Sequence, residues 1–379
     1  MRAWRWVVAV GLIVAAVSPV SAQRPPVTHP SNASQNLSLN FDRSSPPGDQ
    51  YLWPTRTLLA YSHLDPALAY GTLYLTCLSN SSAESGRCPT SDTGENATTM
   101  SSVALLFRER RSGLRTELSL TGYLQRAERT IACSSDYWQS GTRPLWTSFT
   151  AECFGEPAVG TGVTLFLPAA ELQKLVAGRW DAELVMRLNN VSGADLATYT
   201  FTFDLTITDY TNASIYFPLY DQITPLVNLN IDYNPIGPPP TVGGNATLDM
   251  CLYDGLGSQV AYMEVTIDDG ARAAPGRPDG MYSVWHAGGG NTIGDHLDYE
   301  IDLDYGGRPL VMRNGQMQLL PGIDTAQLRM VVLPGMSYPV YCVPTPLTLR
   351  TPRVPASTKA AGYYHGELNI NVVLPPSSP

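Results

Sequence analysis

Between Tyr199 and Ile207 every odd position is apolar and every even one is Thr or Asp, in the run Tyr-Thr-Phe-Thr-Phe-Asp-Leu-Thr-Ile. That period belongs to a strand with one face on a core and the other in water; an amphipathic helix would repeat about every 3.6 residues. The alternation recurs at Leu73–Cys77, Val163–Leu167, Val227–Ile231, Met263–Ile267, Tyr299–Tyr305 and Leu328–Val332. One stretch alone reads as helix. Pro168 stands at its first position, Leu172, Leu175 and Val176 share a face, and Gly178 ends it. With 32 glycines and 31 prolines to turn the chain, short strands at near-regular spacing predict an all-β protein. The expected architecture is two immunoglobulin-like β-sandwich domains in tandem.

The N-terminus reads as an export signal. Met1-Arg-Ala-Trp-Arg5 is basic, Trp6 to Val17 is apolar, and Val20-Ser-Ala22 is a small-x-small cleavage site. The apolar run is shorter than the ~20 residues a spanning helix needs. The expected division is a signal over 1–22, a first domain over 23–209, a linker at 210–212 and a second domain over 213–379. A net charge of −9 with scattered basic residues excludes a nucleic-acid binder, which needs a concentrated basic face.

Six cysteines in an exported chain read as disulfides: Cys77, Cys88, Cys133, Cys153, Cys251 and Cys342. Sequence alone leaves 15 pairings open. The sequential pairing is favoured because it puts two bridges in the first half and one in the second. No C-x-x-C occurs and no histidine stands at ligand spacing from a cysteine, so no metal is expected.

The last stretch, Gly362 to Leu374, places Leu368, Ile370, Val372 and Leu374 on one face of an expected strand. It stops against Pro375-Pro376-Ser-Ser-Pro379, which cannot extend a ladder. A sandwich whose final apolar strand is also its terminus is expected to lack a closing neighbour.

Several segments together resemble one family. Leu73-Tyr-Leu-Thr-Cys-Leu-Ser-Asn80 with Arg87-Cys-Pro-Thr-Ser-Asp92 is similar to the first cysteine pair of the tip adhesins of class 5 fimbriae, the CfaE and CblD pilus-initiator family. Pro168-Ala-Ala-Glu-Leu-Gln-Lys-Leu175 with Trp180, Leu248-Asp-Met-Cys-Leu-Tyr-Asp-Gly255 and Pro339-Val-Tyr-Cys342 follow in the same order. The resemblance spans nearly the whole exported chain and all six cysteines. It implies a receptor-binding first domain and a pilin domain that lacks its last strand. A periplasmic chaperone would fill that groove first. The N-terminal strand of a major pilin would then replace it at the outer-membrane usher, as strand addition to a sheet edge. The implied location is the fimbrium tip, reached through the periplasm, and the implied function is pilus initiation and adhesion to a host glycan or protein. No cofactor is implied.

On this reading Leu368, Ile370 and Val372 form one edge of the donor-strand groove. The arginines that sugar-binding members use are replaced here by Thr72 and by Asn190 with Val191, so no sugar specificity carries over. The candidate receptor contacts are therefore Arg110, Arg111 and Arg115 in a basic turn, and Arg187 on a strand, because guanidinium forks suit acidic groups. Asp298, Glu300, Asp302 and Asp304 alternate with apolar residues and read as a wet strand face, not a calcium cage. Asn-x-Ser/Thr triplets such as Asn32, Asn80, Asn96 and Asn245 read as loop composition. Catalytic motifs are absent, and His286 and His296 read as surface histidines. Two rivals remain: an adaptor pilin using Asn36–Asp42 as its own donor strand, and a secreted β-sandwich hydrolase.

Overall fold

The computed structural model describes residues 23–131, 133–220, 224–270, 272–333 and 339–375. The expected signal at 1–22 and the tail at 376–379 lie outside the described residues. What is described is almost entirely β-structure, in two consecutive parts.

The first part holds β1 (Ala33–Asp42), β2 (Gln50–Tyr61), β3 (Tyr74–Cys77), β4 (Ser101–Glu109), β5 (Arg115–Ala127), β6 (Gly160–Leu167), α1 (Ala169–Leu172), β7 (Gly178–Asn189) and β8 (Asp195–Thr208). They form one sheet in the order β1-β8-β7-β4-β5-β6-β2, with β3 on β7. In β8 the odd residues Tyr199 to Ile207 are all buried and the even ones are not, as the alternation requires. The helical signal shrinks to the single turn α1, yet Leu172, Leu175 and Val176 are buried as expected. The side chain of Asp49 caps that turn at the Ala169 amide.

Strand β1 lies parallel to β8 along its whole length, Ala33 opposite Tyr199 through Asp42 opposite Thr208. Leu37, Leu39 and Phe41 pack on the core of this domain. The segment is an edge strand held in place by its own domain.

The second part comprises β9 (Ser214–Tyr216), β10 (Asp232–Asn234), β11 (Thr241–Leu248), β12 (Cys251–Tyr253), β13 (Tyr262–Asp268), β14 (Tyr282–His286), β15 (His296–Tyr305), β16 (Arg308–Met312), β17 (Met317–Pro321), β18 (Arg329–Val331), β19 (Val340–Pro344), β20 (Leu347–Pro355), β21 (Tyr364–His365) and β22 (Asn369–Val373). The larger sheet runs β10-β11-β20-β15-β14-β21, with β16 on β15. A four-stranded sheet, β18-β19-β12-β9, and a three-stranded one, β17-β13-β22, complete the domain.

Two sequence expectations change here. The stretch Gly362–Leu374 is two strands: β21 pairs with β14 in the large sheet, and β22 pairs with β13 in the small one. Between them the chain turns at Gly366, whose Cα lies against Ser283 and Val284 with little room for a Cβ. The expected strand Val227–Ile231 belongs to no ladder. Its residues still alternate, 225, 227 and 229 half-buried and 226 and 228 exposed. The segment is extended without a ladder partner among the described residues.

Disulfides join Cys77 to Cys88, Cys133 to Cys153 and Cys251 to Cys342. The apolar interior is continuous across the junction: Cys251, Tyr253, Leu333, Val340 and Cys342 pack with the core of the first domain. At the junction Asp209, nearly fully buried, accepts from Arg43 Nη1 at 3.3 Å and from the Tyr253 hydroxyl at 3.4 Å, while its amide donates to the Gly255 carbonyl at 2.7 Å. Gly257, at φ +70°, passes so close to Ala177 and Gly178 that a Cβ would lie 2.8 Å from the Gly178 Cα.

Candidate functional site

Among the described residues, strand β22 has a neighbour on one side only. Asn369, Ile370, Asn371, Val372 and Val373 pair with Asp268, Ile267, Thr266, Val265 and Glu264 of β13. The Asn369 side chain also donates to Asp268 at 3.0 Å. That hydrogen bond, then one from the Gly270 amide, pulls the Asp268 carboxyl below the usual aspartate range. The other edge of β22 carries backbone groups with no ladder partner among the described residues, a condition a sheet edge normally masks.

Beside that open edge lies a groove of about 660 Å³. One wall is Leu368 and Ile370 with their neighbours; the other is the unpaired segment Thr224–Leu229 together with Ile215 and Phe217. Its floor is Leu248, Val284, Tyr299 and Leu349, which belong to the large sheet. A second hollow of about 240 Å³ continues it between β9 and β22, lined by Ile215, Leu252, Tyr253, Met263, Val372 and Leu374. The predicted residues Leu368, Ile370 and Val372 therefore share one wall, each half-buried with its inner side facing open space.

Two extended segments, 224–229 and β22, thus flank a strip with an apolar floor. Each presents alternating half-buried apolar side chains, and among the described residues each lacks ladder partners along the strip. An object that satisfies both edges has backbone donors and acceptors on both sides and side chains on one face. An extended polypeptide strand has that form.

The arginine candidates are scattered. Arg110 pairs with Asp181 and Asp204 across β7 and β8, and its amide donates to the Arg179 carbonyl. Its side-chain hydrogen bond to Asp181 raises its pKa further above the usual arginine range. Arg111 donates to the carbonyls of Ile323 and Ala326 in the second domain. The basic turn therefore lies at the domain junction, and Arg111 is a tie between domains. Arg115 sits 3.5 Å from Glu84. Arg187 pairs with Asp195 at 3.4 Å; eight residues beyond Arg179 on β7, it lies about 26 Å from the junction at ~3.3 Å per residue. The four do not form one site.

The loops 62–73, 128–131, 133–159 and 190–194 and the 89–100 part of the loop after β3 converge on that far pole, with Thr72, Asn190 and Val191 among them. Two of the disulfides anchor them. Arg126, which sequence reasoning does not single out, holds them from beneath. It is fully buried and donates to the carbonyls of Leu73 (2.7 Å), Thr147 (2.6 Å) and Phe149 (3.2 Å) and to Thr161 Oγ1 (2.7 Å). Burial pushes its pKa down to about 9, with Arg143 adding in the same direction. Nothing in its surroundings along the chain signals this, because its partners come from three distant segments.

The wet-face reading of β15 holds for most of its acids: Asp302 and Glu300 approach Arg350 on the neighbouring strand β20, at 2.9 and 4.0 Å. His296 corrects the sequence expectation. It is buried, with Nδ1 2.8 Å from Asp298 and Nε2 3.0 Å from the Pro275 carbonyl, because the loop before β14 folds over it. Both ring nitrogens are occupied, leaving none to exchange a proton with a substrate. Glu128 approaches the sulfurs of Cys133 and Cys153, but both sulfurs are spent on their disulfide.

Comparison with known proteins agrees across both domains. The family model for the first domain of CfaE, a CFA/I fimbrial protein, matches residues 18–210, and the one for its second domain matches residues 213–376. The CfaE protein of CFA/I fimbriae from Escherichia coli is 30% identical over 322 residues, covering 82% of this chain and 81% of that protein. The crystal structure of CfaE, the adhesive subunit of CFA/I fimbria of enterotoxigenic Escherichia coli, superposes with a TM-score of 0.67 at 25% identity, over 93% of this chain and 95% of that one. A structure described as a chaperone–tip adhesin complex, vital for synergistic activation of CFA/I fimbriae biogenesis, superposes with a TM-score of 0.60 at 26% identity, over 94% and 99%.

Proposed function

This chain belongs to the CfaE family of CFA/I fimbrial proteins, and on that premise we propose that the groove beside β22 receives a strand from a second polypeptide, by which the protein is built into a fimbrium. The protein is a non-enzymatic tip adhesin at the cell surface, with a chaperone and pilus subunits as partners. The observation that carries the groove assignment is the pair of unpartnered extended segments, 224–229 and β22, facing each other over the apolar floor of Leu248, Val284, Tyr299 and Leu349. In the same reading the chaperone strand occupies the groove in the periplasm, and a major pilin's N-terminal strand replaces it at the usher.

The receptor surface is assigned to the pole of long loops far from the junction. Its support is geometric: the other end of the first domain is committed to the second domain through Arg111 and Asp209. Arg187 is the one of the four candidate arginines placed toward that pole. The receptor is a host glycan or a host protein. The adaptor alternative loses its donor strand, because β1 is paired along its full length within its own domain.

The test is a full-length protein extended after Pro379 by a flexible linker and a pilin-type strand. Its melting temperature is expected to rise well above that of the unextended chain. An unextended chain that is already a stable monomer, with the amides of β22 that face away from β13 protected in hydrogen exchange, refutes the assignment. Glycan and cell-binding arrays on the extended protein, with and without Arg187→Ala, then locate the receptor pole.

A further inference from the structure

The floor of the groove holds a hydroxyl that no described residue bonds. Tyr299 points inward from β15, is 3% exposed, and stacks on Tyr282 with ring centroids 5.5 Å apart. The two tyrosines are direct cross-strand partners, yet their hydroxyls differ. That of Tyr282 donates to the carbonyls of Met312 (3.2 Å) and Ile267 (3.4 Å). That of Tyr299 makes no hydrogen bond among the described residues. It is also missing from the sealed, unsatisfied polar atoms, so the hydroxyl keeps a small exposure, and Tyr299 lines the groove floor. Phenylalanine would fill and stack equally well. A hydroxyl kept at a nearly buried position is costly unless something bonds it.

We propose that Tyr299 sets the register of the incoming strand by hydrogen-bonding a hydroxyl-bearing residue, Ser or Thr, at the one inward position that lies over it. The inference rests on the groove assignment above and adds that the strand's inward row is not uniformly apolar. The dimensions favour a short side chain. Packed sheets stand about 10 Å apart, and the phenol already spans most of that gap. With an O–H···O separation of about 2.7 Å, what remains over the ring matches a Ser or Thr side chain. Apolar pockets on either side tolerate slippage by two residues, since every second side chain looks alike to them. One polar contact breaks that degeneracy, because a slipped strand buries two unpaired hydroxyls.

The test uses the full-length chain extended after Pro379 by a flexible linker and a designed strand. The reference strand carries Val at every inward position, and variants move a single Thr along those positions. In the wild-type background one Thr position is expected to equal or exceed the all-Val strand in denaturant midpoint, while the others fall below it. In Tyr299→Phe that position loses its advantage, a change of roughly fivefold in the folding equilibrium for one net hydrogen bond. Equal penalties for Thr at all positions, or a preference unchanged by Tyr299→Phe, overturn the proposal. If the all-Val strand itself fails to raise the midpoint, the groove assignment falls and takes this inference with it.

Discussion

Replacing Ile370 by alanine distinguishes a groove wall from an ordinary edge strand, because the cost depends on whether the groove is filled. Ile370 pairs with the fully buried Ile267 and is itself half-buried, its free side facing the 660 Å³ groove. A fully buried Ile→Ala substitution costs about 2–5 kcal/mol, the removed side chain plus the cavity left behind. In the open chain roughly half of that side chain already meets water, so about 1–1.5 kcal/mol is expected. With a strand seated in the groove the same side chain becomes interior, and about 3–3.5 kcal/mol is expected. The difference of about 2 kcal/mol corresponds to a donor strand bound roughly 30-fold more weakly. Urea unfolding of the full-length chain, with and without a strand fused after Pro379, measures both costs. Val373→Ala is the control: that side chain points to the opposite face and is 57% exposed, so its cost is expected to be small and equal in the two forms. Equal costs for Ile370→Ala in both forms refute the groove-wall reasoning, whatever the absolute values.

Three further perturbations address the rest of the scaffold. Arg111→Ala removes two hydrogen bonds that cross the junction; each charge-assisted bond contributes about 1.5–3 kcal/mol, so differential scanning calorimetry is expected to resolve two separated transitions where the parent shows closer ones. Opening the Cys251–Cys342 bridge by a double Cys→Ser substitution releases a loop of 91 residues and is expected to cost roughly 4–5 kcal/mol by loop entropy, read as a lower urea midpoint for the second domain. Asp42 governs part of the acid response. Burial alone raises its pKa, but hydrogen bonds from the Ser44 hydroxyl and amide, the Thr208 hydroxyl and the Tyr210 amide outweigh that and hold it at about 2. A folded-state pKa below the unfolded value contributes stability that is full above about pH 4 and is lost as pH falls through about 2. Asp42→Asn is expected to flatten the acid limb of the stability–pH curve in that window while leaving receptor binding unchanged.

Much of the scaffold is legible in the sequence because strand periodicity is a local signal. The odd residues of Tyr199–Ile207 need no tertiary information to be assigned inward, and Leu368, Ile370 and Val372 fall on one face for the same reason. The pole on which a turn lies is not local. Arg110, Arg111 and Arg115 form a basic cluster in sequence, but the β4–β5 hairpin carries Arg111 to the Ile323 and Ala326 carbonyls of the second domain and leaves Arg110 on Asp181 and Asp204 and Arg115 beside Glu84. Arg126 is invisible at that level because its four acceptors are distant in sequence. His296 reads as exposed because its covering loop is ordered by contacts such as Arg277 with Asp269, 2.7 Å apart, that composition does not announce. Tyr299 is one more apolar residue in an alternating run, since nothing in the chain distinguishes it from Tyr282.

The mismatch at 227–231 is the most informative. Val227, Leu229 and Ile231 carry the pattern of a strand, and backbone donors and acceptors in such a pattern are normally paired. The chain keeps the pattern and withholds the partner. A loop has no need of alternating apolar residues, and a finished strand does not leave its backbone unpaired beside a hollow. Both halves of the contradiction are satisfied if the ladder is completed by another molecule, and β22 shows the same contradiction from the opposite wall. Two independent edges, far apart in sequence and facing one strip, make a chance coincidence of loose ends a poor account. The prediction that follows is directional: on adding a strand, amides of 224–229 and the free-edge amides of β22 should gain hydrogen-exchange protection together, whereas β1 and β8, already paired along their length, should not change. Protection that appears on one wall alone would show that the strip is not filled by a single strand.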